Sequence, residues 1–253
     1  MKLSDRMTEY EQVYDQIIVR RIPVIVRIDG KGFSKYTKII KAKKPFDESL
    51  STAMASSALQ VADRIEGCVF SYTQSDEASF VILNDQSLES IPWFGNRIQK
   101  IASITASMFT AHFNSLMSGF MAYFDARVFA VPDLLEAYNY LIWRQQDATR
   151  NSVQLASYYG ISNKIGKKTT FKKLHGLNIK QQQELLFSET GINWNDYPDK
   201  FKRGIGIYKE SFEKDIDGTK VLRSSWKMDE NIPIFSSDKE FLKKILERKD
   251  ELL

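Results

Sequence analysis

Val24-Ile25-Val26-Arg27-Ile28-Asp29-Gly30-Lys31-Gly32-Phe33-Ser34 is the stretch on which the fold of this chain turns. A β-branched apolar run meets an acid and then two glycines. That order predicts a buried strand ending in a tight loop whose amides can approach an anion. Asp29 stands at the strand end. Read alone, it fits either a turn aspartate or a ligand for a hard cation held beside a phosphate.

The rest of the chain bounds the answer. At 253 residues and 43% hydrophobic it can bury a sizeable core, and 36 Lys plus Arg against 32 Asp plus Glu give a formal +4 that suits a polyanionic partner. Cys68, the single cysteine, lies in an apolar run and reads as a core residue, which excludes an internal disulfide and a thiolate metal cluster. His112 and His175, the two histidines, are too few to suggest zinc. No apolar leader and no run of about eighteen apolar residues is found, so the expectation is a cytoplasmic chain with no membrane contact. Lys249 to Leu252 spells a retention signal, but Leu253 follows it, and it reads as chance within a charged terminal helix.

Outward from the opening stretch, Met7, Tyr10, Val13, Ile17 and Ile18 predict a short amphipathic helix leaning on the core. Beyond it, Lys31, Lys35, Lys38, Lys41, Lys43 and Lys44 follow one another with no acid between, a phosphate-attracting surface or a solvated loop. Asp47 can cap a helix whose apolar face carries Leu50, Met54, Ala58, Val61, Ala62 and Ile65, and Gly67 ends it. Cys68 to Thr73 and Ala78 to Leu83 read as strands joined by a hairpin over Gln74 to Glu77. A second helix is expected from about Trp93 to Phe113, and a fourth strand from about Ala126 to Val131. Arg97 and Lys100 share one face of that helix, where they either bind a second triphosphate or solvate its outer side.

The order strand, helix, strand, strand, helix, strand is the split βαβ arrangement, so the expectation is an α/β (α+β) ferredoxin-like domain over 1–135 with a helical, RNA-contacting part over 136–253 packed on it. A right-handed crossover puts the third strand beside the first and brings Asp29 and Asp76 to one sheet edge. Two converging carboxylates repel each other unless cations intervene, which points to Mg²⁺. Two such ions about 4 Å apart are the usual device for in-line attack on a phosphoryl group. Asp29, Asp76 and the Gly30 carbonyl are the candidate ligands, and the amides of Lys31, Gly32, Phe33 and Ser34 the candidate phosphate cradle. Glu77 leaves the turn facing away from Asp76 and is expected only behind the ligands. Farther on, Arg144, Arg150, Lys164, Lys167 and Lys168, interleaved with Trp143, Tyr158 and Tyr159, suit an RNA backbone or an ordinary amphipathic helix. Lys172, Lys173, Lys200, Lys202 and Arg203 extend that basic run. Asn193 to Pro198 reads as a turn with aromatic anchors, Asp215 to Lys220 as a hairpin loop near Gly218, and Phe241, Leu242, Ile245 and Leu246 as a packing helix.

Five separated segments resemble the tRNA-His guanylyltransferase family of 3′-5′ polymerases: Arg27 to Phe33, Lys44 to Asp47, Tyr72 to Phe80, Trp143 to Asp147 and Leu186 to Glu189. The resemblance implies a palm like that of ordinary polymerases, two Mg²⁺ ions, ATP and GTP or another nucleoside triphosphate as substrates, tRNA as partner and a homotetramer. Carried over by position, it implies Asp29, Gly30 and Asp76 as metal ligands and Lys31 to Ser34 with Ser75 on the nucleotide phosphates. It further implies Lys44 in activation of the 5′ end, Asp47 near the incoming base and Arg97 with Lys100 at a second triphosphate. In the family, ATP adenylylates a 5′-monophosphate and the 3′-hydroxyl of an incoming nucleotide attacks the activated phosphate; a 5′-triphosphate end bypasses activation. Where eukaryotic members read His-Ile-Asn-Asn, this chain reads Thr149-Arg150-Asn151-Ser152, keeping Asn151 alone. That departure is similar to the bacterial and archaeal branch that repairs 5′-truncated tRNA. Addition of one guanosine to tRNA-His is the alternative; a nucleotidyl cyclase and an inactive RNA-binding module are further rivals.

Overall fold

In the computed structural model, residues 1–85, 89–216 and 219–247 are described. The terminal tetrapeptide and Gly218 lie outside them. The elements that build the sheet are β1 (Val24–Gly30), β2 (Cys68–Gln74), β3 (Glu77–Ile82) and β4 (Phe124–Ala130). Two crossover helices connect them, α3 (Glu48–Ala62) and α4 (Ile98–Leu116). The sheet order β4-β1-β3-β2 is that of the ferredoxin-like palm, with β1 antiparallel to both β3 and β4.

Strand alternation sorts the core into two layers. Val24, Val26, Ile28, Ala78, Phe80 and Ile82 face α3 and α4, where they meet Met54, Ala58, Val61, Phe109 and Phe113. Ile25, Val81, Phe70 and Tyr72 face the opposite side, against α5 (Leu134–Ile165) and α9 (Lys239–Leu246). Cys68 is buried, as its apolar context implies, and burial pushes its thiol up to about 12.

The later half adds more than helices. β5 (Ile205–Ile216) pairs with β2 over Ile205 to Tyr208 and then runs on with β6 (Thr219–Asp229) as a two-stranded arm. Among the described residues the sheet therefore has six strands. Ile205 and Ile207 enter the α3/α4 layer and Gly206 passes against Ile232 and Phe70, where a Cβ would come within 2.8 Å of Ile232. A third small core joins the distal half of α5 to α7 (Ile179–Thr190) through Val153, Ile161, Leu186 and Trp194, with α6 (Lys167–Leu174) alongside and α8 (Asp199–Arg203) after it.

Three elements differ from the sequence reading. α1 (Leu3–Gln12) buries none of its side chains, so it does not lean on the core; the following segment is instead pinned by Ile18 N–H to the Asn96 carbonyl (3.1 Å) and Ile98 N–H to the Gln16 carbonyl (2.9 Å). α2 (Phe33–Ile39) occupies the first half of the lysine run, because Phe33 and Tyr36, three positions apart, turn inward onto Phe113 while the lysines stay exposed. Helix α4 begins only at Ile98. A 3₁₀ turn over Trp93–Asn96 precedes it, and Arg97 is its extended N-cap, so Arg97 and Lys100 do not share a helical face.

Candidate active site

Asp29 and Asp76 meet where the topology puts them. The last ladder pair of β1 and β3 is Asp29 with Glu77, and the Gly30 N–H donates to the Asp76 carbonyl at 3.1 Å. A Cβ on Gly30 would lie 3.0 Å from the Asp76 Cβ and 2.5 Å from the Phe33 ring, so the close approach of the two carboxylate-bearing segments requires glycine there. Ser75, with φ of 51° in the tight turn between β2 and β3, donates its hydroxyl to Asp76 Oδ1 at 2.9 Å. Burial raises the Asp76 carboxyl; the Ser75 hydroxyl and a backbone hydrogen bond pull it down, and the Asp29 charge adds to the rise. A half-buried carboxylate that repels its neighbour is a site short of positive charge, which is what a divalent cation supplies. The residues present would suit Mg²⁺, with Asp29, Asp76 and the Gly30 carbonyl as candidate oxygen donors.

Glu77 behaves otherwise. It shares the α5-facing side with Asp29 but is taken up by Arg144, whose Nε and an Nη donate to the two carboxylate oxygens at 2.7 and 2.6 Å. Asp147 joins the same guanidinium at 3.0 Å and also receives Arg150 and, at 3.3 Å, Asn151. Burial raises the Glu77 carboxyl, Arg144 and Arg27 lower it without cancelling the rise, and the Asp29 charge adds to it; for Arg144, desolvation opposes the charge but Glu77 and Asp147 outweigh it and hold the guanidinium above its ordinary value. Arg144 is 5% exposed, so the expectation that it contacts RNA is corrected. It faces inward because the buried Glu77 needs a bidentate partner.

Beside the aspartates, a cavity of about 130 Å³ opens between α2, the Lys43–Asp47 loop, the end of β2 and α5. Phe33, Lys44, Asp47, Ser75, Asn151 and Ser152 are among its walls. The loop below it begins at Gly32, φ 63°, which turns the chain into α2 so that the Phe33 and Ser34 amides open the first helical turn. The Lys31 amide is not part of this cradle, since it continues the ladder by donating to the Tyr123 carbonyl at 2.8 Å. Asp47 caps α3 through Leu50 N–H (3.0 Å) and also accepts from Lys43 N–H (2.7 Å), so its carboxylate locks the loop as well as facing the cavity.

Elsewhere the predicted basic groups divide. Lys164, Lys167, Lys168 and Lys172 are exposed on the distal α5 and on α6, and Arg150 keeps its side chain 59% exposed. Lys200, Lys202 and Arg203 serve as internal ties instead. Lys200 joins Glu48 and Glu230, Lys202 reaches Asp199 and the Asn195 carbonyl, and Arg203 pairs with Asp199, because α8 must be anchored between α3, α5 and β2. Arg97 pairs with Asp15 at 3.1 Å, and the Lys100 ammonium sits 4.9 Å from the Phe94 ring centroid, some way along the chain from the aspartates. The aromatic wall of Phe46, stacked on Phe201 at 5.0 Å and edge-on to Tyr197, was not singled out from the sequence; Pro45-Phe46 before a helix cap was its signal.

A ferredoxin-like sheet carrying paired aspartates at the end of β1 and in the β2–β3 turn, with a cleft beside them, defines a nucleotidyltransferase palm. Two family profiles divide the chain between them, one described as tRNAHis guanylyltransferase over residues 4–132 and one as Thg1 C terminal domain over 136–248. The chain belongs to the tRNA-His guanylyltransferase family and is a nucleotidyltransferase. It is 31% identical over 201 residues to the tRNA(His) guanylyltransferase of Saccharomyces cerevisiae (74% of this chain, 83% of that one) and 32% identical over 212 residues to that of Kluyveromyces lactis (79% and 87%). Among solved structures it resembles a bacterial tRNA(His) guanylyltransferase (Thg1)-like protein in complex with ATP, at TM-score 0.83 and 40% identity over 97% of this chain and 99% of the other. The same description in complex with GTP matches at TM-score 0.80 and 40% identity over 96% and 98%. The Saccharomyces cerevisiae enzyme matches at TM-score 0.69 and 27% identity over 85% and 94%.

Proposed function

We propose that this chain is a Mg²⁺-dependent 3′-5′ nucleotidyltransferase that activates tRNA 5′ ends with ATP and restores 5′-truncated tRNA by adding nucleotides. The observation that carries the reading is the pairing of Thr149-Arg150-Asn151-Ser152 with 40% identity, over nearly the whole chain, to a bacterial Thg1-like protein. The likeness to the yeast guanylyltransferase structure is lower, at 27%.

Asp29, Asp76 and the Gly30 carbonyl would hold Mg²⁺, which when bound neutralises triphosphate charge and lowers the pKa of an attacking hydroxyl. The chain's own groups do the rest. The Gly32, Phe33 and Ser34 amides and the Ser75 and Lys31 side chains orient the phosphates, and the cavity wall from Phe46 to Met54 seats a base and excludes water around it. Lys44 serves activation, in which AMP passes from ATP to the 5′ phosphate with release of pyrophosphate. The incoming 3′-hydroxyl then attacks that phosphate and AMP leaves. Arg97 and Lys100 form a second, peripheral triphosphate site, while Arg150, Asn151, Lys167 and Lys168 follow the RNA backbone.

Incubation with 5′-end-labelled tRNA lacking its first nucleotides, Mg²⁺, ATP and the four nucleoside triphosphates lengthens the RNA to its full acceptor stem. A product that stops after one guanosine on tRNA-His, with truncated tRNA ignored, makes the chain a tRNA-His guanylyltransferase proper instead.

A further inference from the structure

Lys44 is held in an unusual way. Its ammonium lies 5.5 Å from the centroid of the Tyr159 ring, on α5, and donates to Thr37 Oγ1, on α2, at 3.4 Å. The Thr37 hydroxyl in turn donates to the Ser34 carbonyl at 3.3 Å, so the lysine head is linked to the glycine loop that opens α2. Both Lys44 and Thr37 line the cavity beside the paired aspartates. The backbone beneath is fixed independently, by Lys43 N–H on Asp47 Oδ2, and the Tyr159 ring is fixed by an edge contact with Tyr158 at 5.2 Å and 83°.

What holds Lys44 carries no charge. Lys200 lines the same cavity, but Glu48 and Glu230 both bind its ammonium. Lys44 has no carboxylate ion pair among the described residues; an aromatic face and a hydroxyl orient it. A carboxylate would place a lysine equally well and would also cancel the charge that an RNA phosphate is to meet. The ring quadrupole attracts the ammonium without neutralising it.

We propose that Tyr159, with Thr37, is a positioning residue that presents the full charge of Lys44 to the RNA 5′ phosphate, and so governs activation of the 5′ end without governing the nucleotide addition that follows. The inference rests on the reading of Lys44 as the activating lysine. It extends that reading to Tyr159 on α5.

The two steps are separable by substrate, since a 5′-monophosphorylated RNA requires ATP and a 5′-triphosphorylated RNA does not. In single-turnover assays, Tyr159→Leu slows adenylylation of the monophosphorylated RNA about tenfold, between the few-fold worth of the contact and the hundredfold cost of a misplaced group. Addition to the triphosphorylated RNA stays within about twofold. Tyr159→Phe keeps the ring face and restores adenylylation. Equal slowing of both steps, with a lowered melting temperature, assigns Tyr159 a structural role and overturns the proposal, as does normal adenylylation in Tyr159→Leu while Lys44→Ala has lost it. Normal adenylylation in Lys44→Ala overturns the reading of Lys44 itself, and the inference falls with it.

Discussion

The two faces of the palm sheet are built on opposite plans. Toward α3 and α4, β1 and β3 present aliphatic and aromatic groups to helix residues that are fully buried, among them Met54, Ala58, Phe109 and Phe113. Toward α5 the same strands are apolar at the end that carries Ile25 and Val81 and turn polar toward the aspartates. Ser79 shares a 2.7 Å hydrogen bond with Tyr140, and beyond it Glu77 meets Arg144. The first face stabilises. The second carries charge up to the edge where Asp29 and Asp76 meet and keeps the surplus carboxylate of Glu77 occupied.

The contrast can be broken most sharply at its polar end. Asp76→Asn reduces nucleotide transfer by about a thousandfold or more while tRNA affinity stays close to that of the parent; rapid-quench rates with parallel binding isotherms measure both. Retained transfer removes Asp76 from the chemistry. Next in size come two substitutions of similar cost and opposite remedy. Phe109→Ala on the apolar face costs about 3–5 kcal/mol of unfolding free energy by chemical denaturation. Arg144→Ala costs about 3–5 kcal/mol because Glu77 is left buried and charged. Replacing both partners, Arg144→Met with Glu77→Leu, recovers most of the second loss, whereas no single polar-face change recovers the first. If the double replacement stays as unstable as Arg144→Ala, the cost is not that of an orphaned charge.

The smallest effect has the opposite sign. Asp76 has a raised carboxyl pKa in the folded chain. Its contribution to stability is therefore complete below the ordinary carboxylate pKa and lost as pH rises through the raised value. At neutral pH and without divalent cation the ionised group destabilises, so Asp76→Asn melts about 2 °C higher than the parent by calorimetry. That difference shrinks as the pH is lowered toward 4. An unchanged melting temperature across that range would mean that Asp76 is as well solvated as a surface aspartate.

The two faces also differ in how far the sequence announces them. The apolar face was legible because its strands alternate with period two and its helices with period 3.6, and the order of elements alone then placed Asp29 beside Asp76. Arg144 was not legible. On a helix of 32 residues, a guanidinium between Trp143 and Gln145 reads the same whether it meets RNA or a buried glutamate, and only the partner strand decides. β5 and β6 were legible only at their turn, where Asp215 pairs with Lys220 as the expected hairpin requires; past Tyr208 the arm leaves the sheet, so the run from Lys209 to Asp215 has no buried face to write into its pattern. α2 was masked by its lysines, although Phe33 and Tyr36 carried the helical spacing.

The junction of β2 with β5 sets the order in which the chain can be completed during synthesis. Until residues 205–208 have left the ribosome, β2 is an open edge, with the main-chain donors and acceptors opposite Phe70 to Thr73 unpaired and the side chains of Phe70 and Tyr72 short of Ile232 and Phe235. A nascent palm ending near residue 132 thus holds all four of its own strands and both aspartates, yet exposes a template for pairing with another chain. The closing strand, β5, lies well beyond that point in the polypeptide, so full protection against self-association comes only once it has been synthesised.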